Sequence, residues 1–210
     1  LHIFSHSATA KFLFLTVTIS YLLLQKFHSK LLLTSFYIYI IGNISALILI
    51  NNIDKNSLFE NTNIEYSFLY RTCIWEYSLD KIIENPLGHG LNSSRNNIFT
   101  KRNDKKLCVK YPNNKDIYYH ISHHQHYNIQ QIFFELGILG LISFLLLLKI
   151  LLNKIIKTRK EYIPLYGSLL YGYLAIGTTG YGIWQNWYFA SFFLILSLLN
   201  TSISSKKDLK

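Results

Sequence analysis

The stretch HQHYNIQQIFFELGILGLISFLLLLKILL (residues 124–152) decides how this chain folds. Its later part, residues 136–148, contains no charged side chain, whereas the earlier part carries histidines, amides and a single acid, Glu135. An apolar helix of about 20 residues can cross the hydrocarbon core of a bilayer. Polar and titratable groups at the mouth of such a helix are costly, so a functional site is the default explanation for them. The junction predicts a membrane helix with functional residues at its entrance.

Further apolar runs predict that the chain crosses the membrane about five times. We therefore expect an all-α, polytopic helical membrane protein with two transmembrane helices in residues 1–50 and three in residues 129–200. The chain contains no methionine and begins with Leu1, so we expect it to be part of a longer protein. The five apolar runs cover residues 8–27, 31–50, 129–152, 163–180 and 183–200.

The net charge of +10 is explained by membrane topology and does not indicate nucleic-acid binding. Outside the long loop, lysines and arginines cluster at 26–30, 149–160 and 206–210. With five spans these segments lie on one side of the membrane, and the positive-inside rule makes that side the cytoplasm. Residues 51–128 then form a large periplasmic loop, and residues 201–210 form a cytoplasmic tail.

The periplasmic loop is predicted to contain one amphipathic helix, at about residues 64–84. Apolar residues recur there at three- and four-residue steps. Asn85-Pro86 ends the helix because the residue before proline disfavours the α conformation. A tight turn with two glycines follows at 86–90, and residues 92–118 are polar, basic and expected to be irregular and mobile.

Both cysteines of the chain, Cys73 and Cys108, fall in this loop. An oxidising compartment would permit a disulfide between them, and two free thiols are the alternative. The spacing alone does not decide between these states.

Four histidines, at positions 120, 123, 124 and 126, precede the membrane helix. The cluster could supply zinc ligands, could be an incidental polar loop, or could contain one histidine that acts as a base. No cysteine lies close by and there is no His-Glu-x-x-His pattern. We favour His126 as the base because it lies closest to the mouth of the helix.

Other polar residues also have a functional and a structural interpretation. The guanidinium group of Arg71 matches phosphate oxygens, but Arg71 could simply stack on Trp75 four residues later. The turn Gly88-His89-Gly90 could cradle an anion through its backbone amides. We expect Glu135 to be a structural hydrogen-bond or ion-pair partner.

Two segments together resemble the O-antigen ligase family. The first is Arg71-x-x-x-Trp75 followed by Asn85-Pro86-Leu87-Gly88-His89-Gly90, which resembles that family's arginine/tryptophan helix and Pro-x-x-Gly-x-Gly turn. The second runs from His124 to Gly140 and resembles its His-Asn…Gln…Glu-Leu-Gly-x-x-Gly segment. The resemblance covers about residues 1–150. Tyr127 stands where the family usually has Asn, Ser or Gln, and Asn128 follows as the nearest amide.

The resemblance implies transfer of O-antigen or a similar polysaccharide from undecaprenyl diphosphate to lipid A–core in the bacterial inner membrane. It implies an inverting glycosyltransferase that needs no metal, ATP or other cofactor. Its partners would be the lipid-linked glycan, the lipid A–core acceptor and membrane lipid. The residues implied are His126 and Arg71 as catalytic, Trp75, Gly88, Gly90, Arg95, His124 and Asn128 as substrate-binding, and Glu135 and Gly137 as structural.

Alternative functions stay open at the level of sequence. An O-antigen polymerase would use the same lipid-linked donor with a lipid-linked acceptor. A non-enzymatic membrane transport or scaffold protein, or an inactive fragment of the enzyme, is also compatible with the apolar runs.

Overall fold

The computed structural model of this chain describes residues 8–52, 66–96, 99, 106–110, 116–121, 125–179 and 182–207. As predicted, these residues are mostly helical. Two short 3-10 turns, Ser93–Arg95 and Lys160–Tyr162, accompany the longer elements. The helices are α1 (Ala8–Asn52), α2 (Tyr66–Glu84), α3 (Asn128–Ile156), α4 (Ile163–Thr179) and α5 (Asn186–Lys207), and the strands are β1 (Leu107–Val109) and β2 (Ile117–Tyr118).

The two strands correct the prediction that the fold is all-α and that residues 92–118 are irregular. β1 and β2 pair antiparallel, with Leu107 opposite Tyr118 and Val109 opposite Ile117. β-branched and aromatic residues favour this pleated pairing, and here they are too few in number to produce a visible alternating pattern. Within the described residues, a short hairpin therefore accompanies the helices.

α1 corrects the prediction of two separate helices within residues 1–50. It continues without interruption through residues 26–30, where the sequence predicts a turn. No proline or glycine occurs between residues 8 and 41, so nothing there breaks the backbone hydrogen bonds of a helix. Lys26 therefore lies on a continuous helix and does not mark a loop.

One helix among the described residues, Asn128–Ile156, is long and apolar enough to cross a membrane by length and composition. A shorter apolar helical stretch covers Leu31–Ala46. The other predicted spans stay predictions.

The chain divides into two compact units. The first consists of Leu1–Ile40 and Ser143–Lys210, and the second of Ile41–Ile142. In the first unit, Gly167 allows close helix packing, because a Cβ there would lie 2.6 Å from a methyl carbon of Leu24. The stacked rings of Tyr173 and Tyr188 join α4 to α5, and the Tyr188 hydroxyl donates to the Tyr173 carbonyl at 2.8 Å. Small residues and paired hydroxyls of this kind are typical of helices that pack in lipid.

The second unit is built around α2, with a disulfide in its core. Cys73 of α2 is bonded to Cys108 of β1, which decides the question that the sequence left open. Leu69, Val109 and Ile117 complete this buried cluster. The disulfide thereby joins the hairpin to the helix that carries Arg71 and Trp75.

A polar contact supports the same junction between the hairpin and α2. The Tyr119 hydroxyl donates to a carboxylate oxygen of Glu76 at 2.8 Å. Burial, together with the hydrogen bond to Glu76, raises the pKa of the Tyr119 hydroxyl above its usual value. Tyrosine is already protonated at neutral pH, and the raised pKa keeps this hydroxyl a donor at more alkaline pH as well.

Removal of the disulfide should destabilise the second unit. For a sequence separation of 35 residues, loss of the cross-link should lower the free energy of unfolding by about 4 kcal/mol. The measurement is thermal unfolding of the full-length protein in detergent, with and without reductant. The Cys73→Ser/Cys108→Ser double variant should melt at the lower temperature and no longer respond to reductant. A wild-type melting temperature that reductant leaves unchanged would contradict this.

Candidate functional site

The helix α3 is interrupted at Gly137, and the interruption shapes the site. Gly137 has φ 68° and ψ −167°, which is not helical, so residues 128–136 and 138–156 form two helical segments. Backbone groups that the interruption leaves without helical partners bond to the turn at 86–90 instead. The bonds are His89 N–H to the Phe134 carbonyl, Gly90 N–H to the Glu135 carbonyl and Ile138 N–H to the Pro86 carbonyl, each at 2.9 Å.

Two glycines allow the turn and the helix to approach this closely. A Cβ on Gly88 would lie 2.5 Å from the amide nitrogen of Gly137, and a Cβ on Gly137 would lie 2.2 Å from the carbonyl carbon of Leu87. Both glycines also have positive φ, which glycine adopts without steric cost. The turn and the helix are therefore in direct backbone contact.

These contacts correct the prediction that Gly88 and Gly90 cradle an anion. The amide of Gly88 donates to the Asn85 carbonyl at 3.1 Å, and the amides of residues 89 and 90 donate to α3. An N–H group that already bonds a buried carbonyl is not available to a ligand. Gly88 and Gly90 belong to the framework of the site.

Glu135 connects α3 to the 3-10 turn Ser93–Arg95. Its carboxylate is almost fully buried, with 1 % of the residue exposed. It accepts hydrogen bonds from the Asn92 N–H (2.7 Å), the Ser94 hydroxyl (2.5 Å) and the Gln131 amide (3.0 Å). A carboxylate with donors of this kind is a strong buried anchor. The network fixes the backbone that leads to the exposed residue Arg95.

Trp75 fixes the entrance of α3. Its indole N–H donates to the main-chain carbonyl of Gln125 at 2.7 Å, and its own carbonyl accepts from the Gln130 side chain at 2.5 Å. The Trp75 ring also packs against the Tyr127 ring at 5.8 Å between centroids. Trp75 is predicted to bind substrate, but its indole N–H is used within the protein, where Trp75 acts as a clamp.

The contacts of Tyr127 give a structural reason for a tyrosine at this position, where the family pattern has a smaller polar residue. The side chain is buried, and its hydroxyl donates to the side-chain oxygen of Asn43 at 2.5 Å. It thereby ties the segment before α3 to the C-terminal part of α1. A smaller amide at this position could not reach both Trp75 and Asn43.

His126 lies between the two residues that Trp75 contacts. Its φ is 58°, and its side chain is half-buried. Because Gln125 and Tyr127 are held on either side, the position of His126 is well determined while its ring stays partly accessible. A histidine in this setting can exchange a proton with a bound hydroxyl near neutral pH.

The remaining predicted site residues have different surroundings. Arg71 is half-buried on α2, one helical turn before Trp75. Asn128 is buried at the first position of α3, and Arg95 is exposed. His124 lies outside the described residues.

Metal binding has no support among the residues that the structure describes. They contain no group of three or more His, Cys, Asp or Glu side chains that could hold a metal ion. His120 contacts the Tyr118 carbonyl through Nδ1 and the Tyr70 hydroxyl through Nε2. The predicted ligand candidates His123 and His124 lie outside the described part of the chain.

Sequence reasoning missed several residues that build the site. Gln125, Gln130 and Asn43 had no assigned role, and Ser94 was taken as part of an irregular loop. The available signal was the pair Gln130-Gln131 inside an apolar helix, since polar residues there are expected to have a specific partner.

Comparison with known proteins shows the family of this chain. A family model described as O-Antigen ligase matches residues 1–145, which include the turn, Trp75, His126 and Glu135. The chain belongs to the O-antigen ligase family. The family, together with the apolar helix Asn128–Ile156, indicates a membrane protein.

Relatives of this O-antigen ligase family member occur in Rickettsia, where they are provisionally named polysaccharide ligases. The Rickettsia conorii protein is 33% identical over 76% of this chain and 38% of its own length. The Rickettsia typhi and Rickettsia prowazekii proteins are 35% and 34% identical, each over 76% of this chain and 39% of their own lengths. The chain therefore spans about two fifths of the relatives it matches. No solved structure matches it significantly.

Alanine substitutions at Gly88 and Gly90 should distinguish the energetic cost of a steric clash with α3 from the cost of backbone strain. Gly88 and Gly90 have nearly equal φ values, +96° and +98°, but a Cβ at Gly90 meets nothing within 4 Å. Gly90→Ala should cost about 1–3 kcal/mol of unfolding free energy from backbone strain alone. Gly88→Ala should cost clearly more, because it also pushes the turn away from Gly137. Equal losses in thermal unfolding would contradict the backbone contact.

Replacement of the buried carboxylate should show how strongly it holds the 3-10 turn. In Glu135→Gln the new side-chain NH₂ must face a hydrogen-bond donor. The free energy of unfolding of the variant should therefore fall by about 2–3 kcal/mol or more. The control is Glu84→Gln, which removes an exposed ion pair with Lys81 and should cost less than about 1 kcal/mol. The measurement is the melting temperature in detergent, and similar shifts for the two variants would count against the network.

Proposed function

We propose that the protein transfers O-antigen or a similar polysaccharide from undecaprenyl diphosphate to a sugar hydroxyl of lipid A–core. The observation that carries the proposal is the half-buried His126, held between two clamped residues at the entrance of α3 in a chain of the O-antigen ligase family. The provisional names of the Rickettsia relatives support the polysaccharide part of this assignment.

In the proposed reaction, an acceptor hydroxyl oxygen attacks the anomeric carbon of the donor glycan. The bond between that carbon and the diphosphate oxygen breaks, and the electron pair leaves with undecaprenyl diphosphate. The hydroxyl proton passes to His126, a role that typically contributes about 10²–10⁴-fold to the rate. Attack from the face opposite the leaving group inverts the anomeric configuration.

The charge that develops on the leaving diphosphate needs cationic partners. We assign this role to Arg71, whose guanidinium group can bind two phosphate oxygens, with Arg95 as a second cation at the exposed end of the 3-10 turn. Diphosphate is a good leaving group once its charge is stabilised. The proposed mechanism therefore uses neither a metal nor ATP.

We place the protein in the bacterial inner membrane, with the second unit on the periplasmic side. The Cys73–Cys108 disulfide supports this location, because disulfides persist in oxidising compartments such as the periplasm. The apolar helix Asn128–Ile156 supports membrane insertion next to the site. A lipid-linked donor and a lipid-anchored acceptor would both be present at that surface.

The test is complementation of a deletion strain by variants of the full-length protein. His126→Ala should reduce glycan-capped lipid A–core by at least about 100-fold, and Arg71→Ala should reduce it by about 10²–10³-fold. Arg71→Lys should recover only part of the loss, because lysine keeps the charge without the forked donor. Lys110→Ala, which removes an exposed cation from the same unit, is the matched control.

Capped lipid A–core is measured on gels, and the protein level by immunoblot. Unchanged capping in both His126→Ala and Arg71→Ala at normal protein levels would overturn the assignment of roles. Accumulation of single lipid-linked repeat units in the deletion strain would indicate a polymerase. Accumulation of long lipid-linked glycan supports a ligase.

A further inference from the structure

We propose that the side-chain amides of Gln125, Asn128 and Gln130 form a subsite that recognises hydroxyl groups of the acceptor sugar next to His126. The inference rests on the proposed glycan transfer and assigns these residues a part in it. They would select and orient the acceptor, whereas His126 takes the proton.

The evidence is a set of buried polar atoms without partners. Neither amide atom of Gln125 has a hydrogen-bond partner within the described part of the structure, and the residue is 0 % exposed. The side-chain oxygens of Asn128 and Gln130 are buried and unpaired in the same sense. All three residues lie within six positions of one another at the start of α3.

Trp75 brings two of these residues to the same place. It binds the main-chain carbonyl of Gln125 through its indole N–H and the side-chain NH₂ of Gln130 through its carbonyl. His126 and Tyr127 lie between them in the chain, and the Tyr127 ring packs on Trp75. The residues that carry the open amide atoms therefore flank the proposed base in the chain, and two of them are held by Trp75.

Buried polar groups without partners destabilise a folded protein. Each buried polar group that lacks a partner costs about 1–3 kcal/mol, so native structures retain very few of them. The neighbouring Gln131 shows that this helix can satisfy an amide, since its NH₂ donates to Glu135. The unpaired oxygen of Gln130, one residue away, and the unpaired atoms of Asn128 and Gln125 are best explained by a ligand that completes them.

The chemistry of the open atoms indicates what kind of ligand completes them. Three are carbonyl oxygens, which accept hydrogen bonds, and one is an NH₂ group, which donates them. Sugar hydroxyls do both, whereas a phosphate would require cations and a lipid chain would offer no polar atoms at all. Because Gln125 and Gln130 are covered, acceptor binding in this proposal must displace part of the clamped segment, which reaches the surface at half-buried His126.

The test uses the full-length protein and the apolar, nearly isosteric variant Gln125→Met. If the amide lacks a protein partner, its removal should raise the melting temperature of the free protein by a few degrees. The same change should weaken binding of the acceptor by roughly 10-fold, as expected for the loss of two neutral hydrogen bonds. It should leave the KM for the lipid-linked donor unchanged. The readouts are thermal stabilisation by added lipid A–core and the acceptor KM.

Two glutamine variants provide the controls. Gln131→Met removes a partnered amide, so it should lower the melting temperature. Gln25→Met lies on the exposed surface of α1 in the other unit and should leave both acceptor affinity and activity unchanged.

A melting temperature that falls in Gln125→Met, as in Gln131→Met, would overturn the inference, because the amide would then serve the fold. An undiminished response to lipid A–core would overturn it as well. The thermal readout does not depend on turnover, so it tests the amide subsite separately from the proposed reaction. The proposed reaction is tested by complementation with His126→Ala.

Discussion

The second unit depends on one backbone contact, between the turn at 86–90 and the interruption of α3 at Gly137. An interrupted helix leaves donors and acceptors without partners, and burying them unpaired would cost several kcal/mol. The turn supplies those partners through three hydrogen bonds, at a separation that only glycine permits on both sides. The long apolar segment of α3 is thereby attached to a structured loop in a fixed register.

The other contacts of the site build on that register. Because α3 is fixed at Gly137, Glu135 reaches the 3-10 turn and Gln130 reaches Trp75. Trp75 in turn holds Gln125, and Tyr127 extends the contact to Asn43 of α1. The Cys73–Cys108 disulfide limits the movement of α2 from its other side. His126 is consequently placed by its neighbours on both sides, although its own ring is half-exposed.

The sequence predicted the helices better than the site. The end of α2 before Pro86 and the apolar part of α3 follow from local rules, namely the restriction before proline and the length of an uncharged run. The single helix α1 was missed because a cluster of lysines resembles a turn when the absence of proline and glycine is overlooked. The hairpin was missed because its strands have three and two residues, too short to show a period.

Within the site, Glu135 is predicted from the sequence to be structural and its hydrogen bonds agree, whereas Gly88, Gly90 and Trp75 are predicted to bind substrate although their N–H groups bond within the protein. Gly88-His89-Gly90 has the composition of an anion-binding turn, and only its distance from Gly137 shows that its amides are occupied. Trp75 is predicted to bind substrate, and only the position of Gln125 shows that its indole N–H bonds within the protein. Partners that are 40 or more residues away leave no local trace in a single sequence.

The buried polar groups of α3 fall into two classes, and the difference between them carries functional information. Glu135 and Gln131 bond to each other and to the 3-10 turn, so they contribute to the stability of the free protein. Gln125 and the side-chain oxygen of Gln130 are equally buried but open, so they reduce that stability. A protein retains such a cost where binding compensates it, and proteins commonly trade stability for function at their sites. The open amides lie at and just before the start of α3, beside His126, whereas the closed network lies one to two turns further on, next to Gly137. The unpaired and the paired polar groups thus occupy separate parts of this junction.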